Sequence, residues 1–336
     1  MAVLTVPGRA HRAAKSRVAA TSRTRYVLTR LWQSLLAIFL VYVVIFVIVT
    51  VLPGNPVQAR MTDPNQGYTQ EEINALLSYY HLDRGVWEQL YYSLKALVLH
   101  WDWGLSLETG QPVWNQVVTG IPSTLALAGA AFVIAVALAF GISLSAVYLP
   151  ARLGGSVLRS LPSLFLSAPN FILALVVIYY FSFRLGWFEV TDYAGWRSLV
   201  YPAITLAIPV SAPIAQVLIS ALDTARAEQY STVALSKGSS RFQLLTRHWL
   251  PNASLPTLTI SALIVGELLG GSVITESVYG RTGVGTVIEA AATTQDVPVL
   301  QAVVTLAAAV FLIINLIVDL IYPSLDPRIG KAGAAR

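Results

Sequence analysis

Glu267 is the residue whose setting most calls for chemistry. It lies near the middle of an apolar run, Leu255–Val278, beside Gly266, Gly270 and Gly271. An ionisable group there is costly unless it faces protein or water, and glycines let a second helix approach closely. Its carboxyl could attract a cationic group of a ligand, pair with a polar group of an adjoining chain, or stay protonated and hydrogen-bonded. Glu276 closes the same run. Asn315 and Asp319 sit one helical turn apart in a later run, and Asn170 follows Pro169 in an earlier one. Other chemistries are excluded. There is no cysteine, hence no disulfide or thiolate. His11, His81, His100 and His248 lack metal-ligand spacing. A phosphate-binding loop needs Gly-x-x-x-x-Gly-Lys-Ser/Thr; Lys237-Gly238 has the wrong order, and Gly330-Lys331 is followed by alanine. The chain is therefore expected to hydrolyse no nucleotide and to bind no cofactor or metal itself.

The elements that position these residues follow from composition. The 336 residues are 55% hydrophobic and 12% charged, against about 25% charged in a soluble domain, so lipid must solvate much of the apolar surface. A crossing helix needs about 20 mostly apolar residues. Six stretches qualify: Leu31–Leu52, Thr124–Leu149, Ser160–Phe183, Leu199–Leu222, Leu255–Val278 and Leu300–Tyr322. Pro169, Pro209 and Pro213 interrupt the third and fourth and predict kinks, tolerable where neighbours satisfy the freed carbonyls. The run Thr124–Leu149, rich in alanine and glycine, suits tight helix packing. The expected fold is an all-α integral membrane protein with six spans.

Charge orients it. Residues 1–30 carry Arg9, Arg12, Lys15, Arg17, Arg23, Arg25 and Arg30 and no acid, whereas residues 53–121 hold three basic side chains against seven acids. Arg152 and Arg159 follow the second span, Arg226, Lys237, Arg241 and Arg247 the fourth, and Arg328, Lys331 and Arg336 the last. Basic residues in short loops mark the cytoplasmic side, so both termini are expected there. This also accounts for the net charge of +5 without a nucleic-acid partner. The first apolar run is too long for a signal peptide and lacks a cleavage site, so it reads as an uncleaved span.

The expected layout is a basic N-terminal segment (1–30), a first span (31–52), an outer loop or cap (53–121), a transmembrane core (122–322) and a cytoplasmic tail (323–336). In the outer loop Thr69-Gln-Glu-Glu72 fits a capping box, with Ile73, Leu76, Leu77 and Tyr80 at helical spacing. Trp101, Trp103 and Trp114 suit the headgroup layer. The loop reads as a small cap or as a docking surface for an external partner. In the cytoplasmic loop 223–254, Tyr230, Val233, Ala234 and Lys237 share one helical face. Gly238 can end that helix in the left-handed region, and Ser239 or Ser240 can cap the next. Two short amphipathic helices meeting at a glycine can lie in a partner's groove, or simply connect two spans.

At this loop the sequence resembles the coupling loop of binding-protein-dependent ATP-binding-cassette importer permeases. Glu228, Tyr230, Ala234, Lys237 and Gly238, with Leu255-Pro256, match its pattern, in the form of the dipeptide/oligopeptide branch and its first-permease type. The resemblance extends through Leu52-Pro-Gly-Asn-Pro56, Asp102-Trp-Gly-Leu-Ser106, Thr109-Gly-Gln-Pro-Val113, Ser167-Ala-Pro-Asn-Phe171, Gly271-Ser-Val-Ile-Thr-Glu276 and Asn315-x-x-x-Asp319 to Asp326-Pro-Arg328; residues 1–23 lie outside it. It implies a multi-pass protein of the bacterial cytoplasmic membrane, paired with a second homologous permease. It also implies two ATPase subunits that hold ATP and magnesium and an extracytoplasmic peptide-binding protein. The coupling loop would transmit ATP-driven closure to an alternating-access pathway. Cargo alternatives within this architecture are nickel chelates, opines and sugars conjugated to peptide-like groups; an ATP-independent secondary transporter is the rival class. On this resemblance Glu267, Asn170, Glu276 and Asn315 are pathway candidates. Glu267 departs from the uncharged residue usual in the family, and Glu276 is placed to gate or brace the outer mouth. Asp319 is expected to cap a helix or pair with Arg328. Arg281-Thr-Gly283-Val-Gly285 lacks the family's proline and is expected to form a looser turn.

Overall fold

A computed structural model describes residues 9–51, 69–79, 81, 84–190 and 195–325; the side chains of residues 9–26 and of several others, Asp319 included, lie outside the description. Arg328, and with it the pairing expected for Asp319, is also outside. Among the described residues the regular structure is helical, apart from one isolated bridge between Leu105 and Pro112.

Five helices carry segments long and apolar enough to cross a membrane: Val27–Ile48, Val113–Tyr148, Arg197–Ala227, Arg241–Val278 and Val297–Ile317. We label them in chain order with their neighbours. Helix α1 is Arg9–Val51, and α2 (Gln70–Tyr79) and α3 (Val86–His100) lie in the segment expected to be the outer cap. Helix α4 is Val113–Tyr148, starting inside the segment assigned to the outer loop. The third apolar run is no straight span. It consists of α5 (Gly155–Ser167) and α6 (Asn170–Val177, extended by a π-helical Ile178–Arg184), bent by 103°. The cause is local: Pro169 forces Ala168 out of the helical region, to φ −91° and ψ 119°. Helix α7 (Arg197–Ala227) keeps Pro202, Pro209 and Pro213 without breaking. Helix α8 is Gln229–Ser236, α9 is Arg241–Leu244, α10 is Leu250–Val278, α11 is Val284–Thr293 and α12 is Val297–Leu325.

Alanine makes the centre. Leu127, Ala128, Ala131 and Ala139 of α4 meet Ala203, Leu206, Ile214 and Ala215 of α7, with Ile264 and Leu268 of α10 alongside. Small side chains bring backbones close enough for polar bonds between helices, and Ser143 donates to the Ala215 carbonyl at 3.1 Å. The freed carbonyls are also used. Pro202 offers no N–H to the carbonyl four residues earlier, and that carbonyl, on Ser198, accepts from Arg281 Nη1 at 2.9 Å. At the other end of α7, Arg159 of α5 grips Asp223 with two parallel bonds of 2.5 and 3.0 Å, the fork geometry arginine favours. Helix α2 begins on the capping box: Thr69 N–H donates to Glu72 at 2.8 Å, and Glu72 N–H to Thr69 Oγ1 at 3.3 Å. The Thr69 bonds hold the Glu72 carboxyl below its ordinary range. Ile73 and Leu77 are half-buried; Leu76 and Tyr80 of that face lie outside the description.

Candidate functional site

The hairpin between α7 and α10 is built on a tryptophan. Trp249 is buried and donates through Nε1 to Ser231 Oγ at 2.8 Å, while Ser231 donates to the Ala225 carbonyl at 2.8 Å. One indole thereby ties the end of α7, α8 and the start of α10 together, with Leu218, Leu222, Leu244 and Leu245 packed around it. Gly238 ends α8 at φ +86°, a conformation that costs a side-chain-bearing residue about 1–2 kcal/mol. Ser240 then caps α9 in a full capping box with Gln243.

The predicted shared face of α8 divides. Tyr230 and Ala234 turn inward onto the Trp249 cluster, and Tyr230 Oη accepts from Asn252 at 3.3 Å. Val233 and Lys237 point out, and Val233, Leu235 and Phe242 are each more than half exposed. Glu228 is exposed at the N-cap of α8 and makes no cap bond. The second helix expected to be short is instead continuous with the fifth span, through a π turn at Leu245–Trp249. Pro251, lacking an N–H, follows that turn, and a wider i→i+5 turn absorbs the missing bond.

A polar stripe opens above this hairpin. Gln216, Ser220 and Thr224 recur every fourth residue on α7 and are exposed within the chain, while their neighbours Ala215, Leu218 and Leu222 are buried. With Glu228, Tyr230, Asn252 and Pro256 they line a groove of about 690 Å³. The face of α10 that presents Pro256 continues through Leu263, Glu267, Gly270 and Ile274, all exposed. Among the described residues nothing hydrogen-bonds to or pairs with Glu267.

The other pathway candidates are engaged inside the chain. Asn170 Nδ2 donates to Thr275 Oγ1 at 2.9 Å, holding α6 on α10. Asn315 donates to the Phe311 carbonyl of its own helix at 3.0 Å, on the seam where Gly266 lets α10 approach Phe311 and Asn315. Glu276 is fully buried. Its Oε2 accepts from Gly285 N–H at 2.7 Å, at the N-terminus of α11, where a carboxylate meets the positive end of the helix. Val284 N–H donates to Thr124 Oγ1 at 2.9 Å. The turn lacking proline is thus pinned and not loose: Arg281 N–H also donates to the Glu276 carbonyl at 2.9 Å. Burial pulls the Arg281 guanidinium below its ordinary range, with the Glu276 charge opposing.

A further anchor, Asp296, is absent from the sequence candidates. Buried ahead of α12, it accepts from Ser106 Oγ at 2.5 Å and Leu107 N–H at 3.2 Å, stapling the Asp102–Ser106 stretch to the last span. Ser106 and Leu107 are 190 and 189 residues away; the local contact, Val299 N–H on Asp296 Oδ1 at 3.5 Å at the start of α12, marks a helix cap and not the staple.

Fold and site define a multi-pass, all-α membrane protein whose fourth and fifth spans share a hairpin of two helices meeting at a glycine. Residues 137–331 match the family described as binding-protein-dependent transport system inner membrane component. The chain is 32% identical over 314 residues to a protein of Brucella abortus (strain 2308) named as a peptide transport system permease, covering 91% of this chain and 99% of that one. It is 30% identical over 304 residues to the glutathione transport system permease protein GsiC of Escherichia coli (strain K12), covering 90% and 98%. Among solved structures, a chain of the MetNI methionine ABC transporter in an inward-facing conformation superposes with a TM-score of 0.53 at 18% identity, over 62% of this chain and 95% of that chain; this likeness concerns the fold. The chain belongs to the binding-protein-dependent transport system inner membrane component family. It is accordingly a permease subunit of a transport complex, a non-catalytic multi-pass component of the bacterial inner membrane.

Proposed function

We propose that this permease carries di- or oligopeptides inward, along a pathway formed where α7 and α10 meet the same face of a second, homologous permease. The observation that carries this reading is the exposed stripe of Gln216, Ser220 and Thr224. Thr224 bonds back to the Ser220 carbonyl at 2.9 Å, but lipid offers nothing to the Gln216 amide, and the surrounding chain leaves the row open along a groove of about 690 Å³. The names of the relatives, a peptide and a glutathione permease, support the cargo class. In this reading both termini are cytoplasmic, ATP and magnesium bind on two ATPase subunits, and an outer binding protein delivers the peptide. The exposed Val233, Leu235 and Phe242, with Glu228 and Lys237 at the two ends of α8, form the surface that seats in an ATPase groove.

Glu228→Ala is expected to leave the assembled complex intact while uncoupling it. In proteoliposomes ATP hydrolysis persists and peptide uptake falls at least tenfold. Normal uptake by this variant would remove α8 from the coupling role. Glu267 is assigned to the peptide's amino terminus. Glu267→Gln is expected to raise KM about tenfold for a free-amino peptide, equivalent to about 1.4 kcal/mol, and to leave an N-acetylated peptide unaffected. An equal change for both peptides would instead assign Glu267 to the contact between permeases.

A further inference from the structure

A second cavity, of about 450 Å³, lies away from the α7–α10 face, between the end of α1, helix α3 and the first turns of α12. Its volume falls within the range of small-molecule sites. One wall is apolar, with Phe46, Leu97 and Ala302 on it. Two donors belong to residues lining the cavity, Trp103 Nε1 and Gln301 Nε2; both atoms are buried and neither makes a hydrogen bond of ordinary geometry, the Gln301 amide standing near a Tyr42 hydroxyl that is already held by Ser93. Leaving a buried donor unmade costs about 1–3 kcal/mol, so two in one cavity call for an occupant that brings acceptors. Lys95 and His100 line it as well. Its acid, Asp102, is already occupied by the Tyr79 hydroxyl at 2.6 Å and Gly104 N–H at 2.9 Å. Burial, and after it that Asp102 contact, pushes the Tyr79 phenol well above its ordinary range. The occupant therefore has an apolar part, acceptor oxygens and a negative charge. A metal ion does not fit: no cluster of three or more His, Cys, Asp or Glu among the described residues could hold one.

The walls decide between a soluble anion and a lipid. Phe46 and Ala302 belong to two membrane spans. Trp87, Tyr91, Val98 and Leu99 on the outer side of α3 are exposed, the composition of a helix lying in the headgroup layer. We infer that this cavity binds one anionic phospholipid. One of its two acyl chains lies along Phe46 and Ala302, its ester carbonyls accept from Trp103 and Gln301, and its phosphate lies toward Lys95 and His100. The lipid would fasten the outer cap to the first and last spans. This assignment is independent of the cargo and coupling readings.

The test is native mass spectrometry of the full-length chain in detergent, incubated separately with phosphatidylglycerol, phosphatidylcholine and glycerol 3-phosphate. One phosphatidylglycerol is expected to remain bound, at least tenfold in preference to phosphatidylcholine, and glycerol 3-phosphate is not expected to displace it. Ala96→Trp, which fills the cavity, should reduce retention at least tenfold. Gln301→Leu, close in size, should weaken it several-fold, and Lys95→Ala should erase the headgroup preference; these two carry the test if the tryptophan variant fails to fold. No retention, equal retention of both lipids, or retention unchanged in all folded variants would overturn the proposal. Displacement by glycerol 3-phosphate alone would assign the cavity to a soluble anion instead.

Discussion

Glu276→Leu is expected to destabilise the protein by about 2–3 kcal/mol, the cost of stranding a buried donor and losing a charged acceptor. The leucine fills a similar volume, so the loss reports the polar role. Gly285 N–H would have no acceptor, and Arg281 would lose its neighbouring charge. Glu276→Gln keeps an acceptor oxygen and should cost about half as much or less. The measurement is thermal unfolding in detergent, followed by the monodisperse fraction that survives heating. A leucine variant as stable as the parent would show that the carboxylate does not hold α11. The glycines around it give a second, steric readout. A Cβ on Gly283 would land on the Glu276 carboxyl, and one on Gly285 would lie 2.6 Å from the Val273 backbone. The penalty of Gly283→Ala should therefore shrink in a Glu276→Ala background, the pattern expected of residues in contact, while that of Gly285→Ala should shrink less, because the Val273 backbone still stands 2.6 Å from the added Cβ.

Trp249→Ala is expected to have the larger effect on function. Emptying a buried tryptophan site costs about 3–5 kcal/mol. Here the cost falls on the hairpin, because the indole bridges α7, α8 and α10 through Ser231. Uptake and ATPase association should fail together, unlike in Glu228→Ala, where association survives. Trp249→Phe keeps most of the packing and loses one hydrogen bond, about 1 kcal/mol, so it should retain assembly. Wild-type uptake by the alanine variant would refute the bridging role, and co-purification of the ATPase subunits separates the two modes of failure.

Much of this architecture was legible because its causes are local. Apolar length marked the spans, and Gly238 with Ser240 marked the bend of the hairpin. Thr69 and Glu72 marked the start of α2. What escaped depends on distant partners. A carboxylate at 296, just ahead of α12 and facing the Val299 N–H, looks like no more than a helix cap until Ser106 meets it. Glu276 has the same type and setting as Glu267, yet one is sealed against α11 and the other lies open on α10. The row Gln216, Ser220 and Thr224 was available in the sequence as polar residues four apart in an apolar run. The prolines of α7 drew attention to kinking instead, and the structure absorbs one of them by giving the Ser198 carbonyl to Arg281.

The bend at Pro169 also bears on how the protein is made. Residues 155–167 and 170–184 span only about 20 and 22 Å as helices, short of a hydrocarbon core of about 30 Å. Neither half is long enough to cross by itself. Each half is held by a later helix: α7 supplies Asp223 as a clasp for Arg159 of the first, and α10 supplies Thr275 for Asn170 of the second. The third segment is thereby expected to integrate together with, and not ahead of, the later helices that hold it.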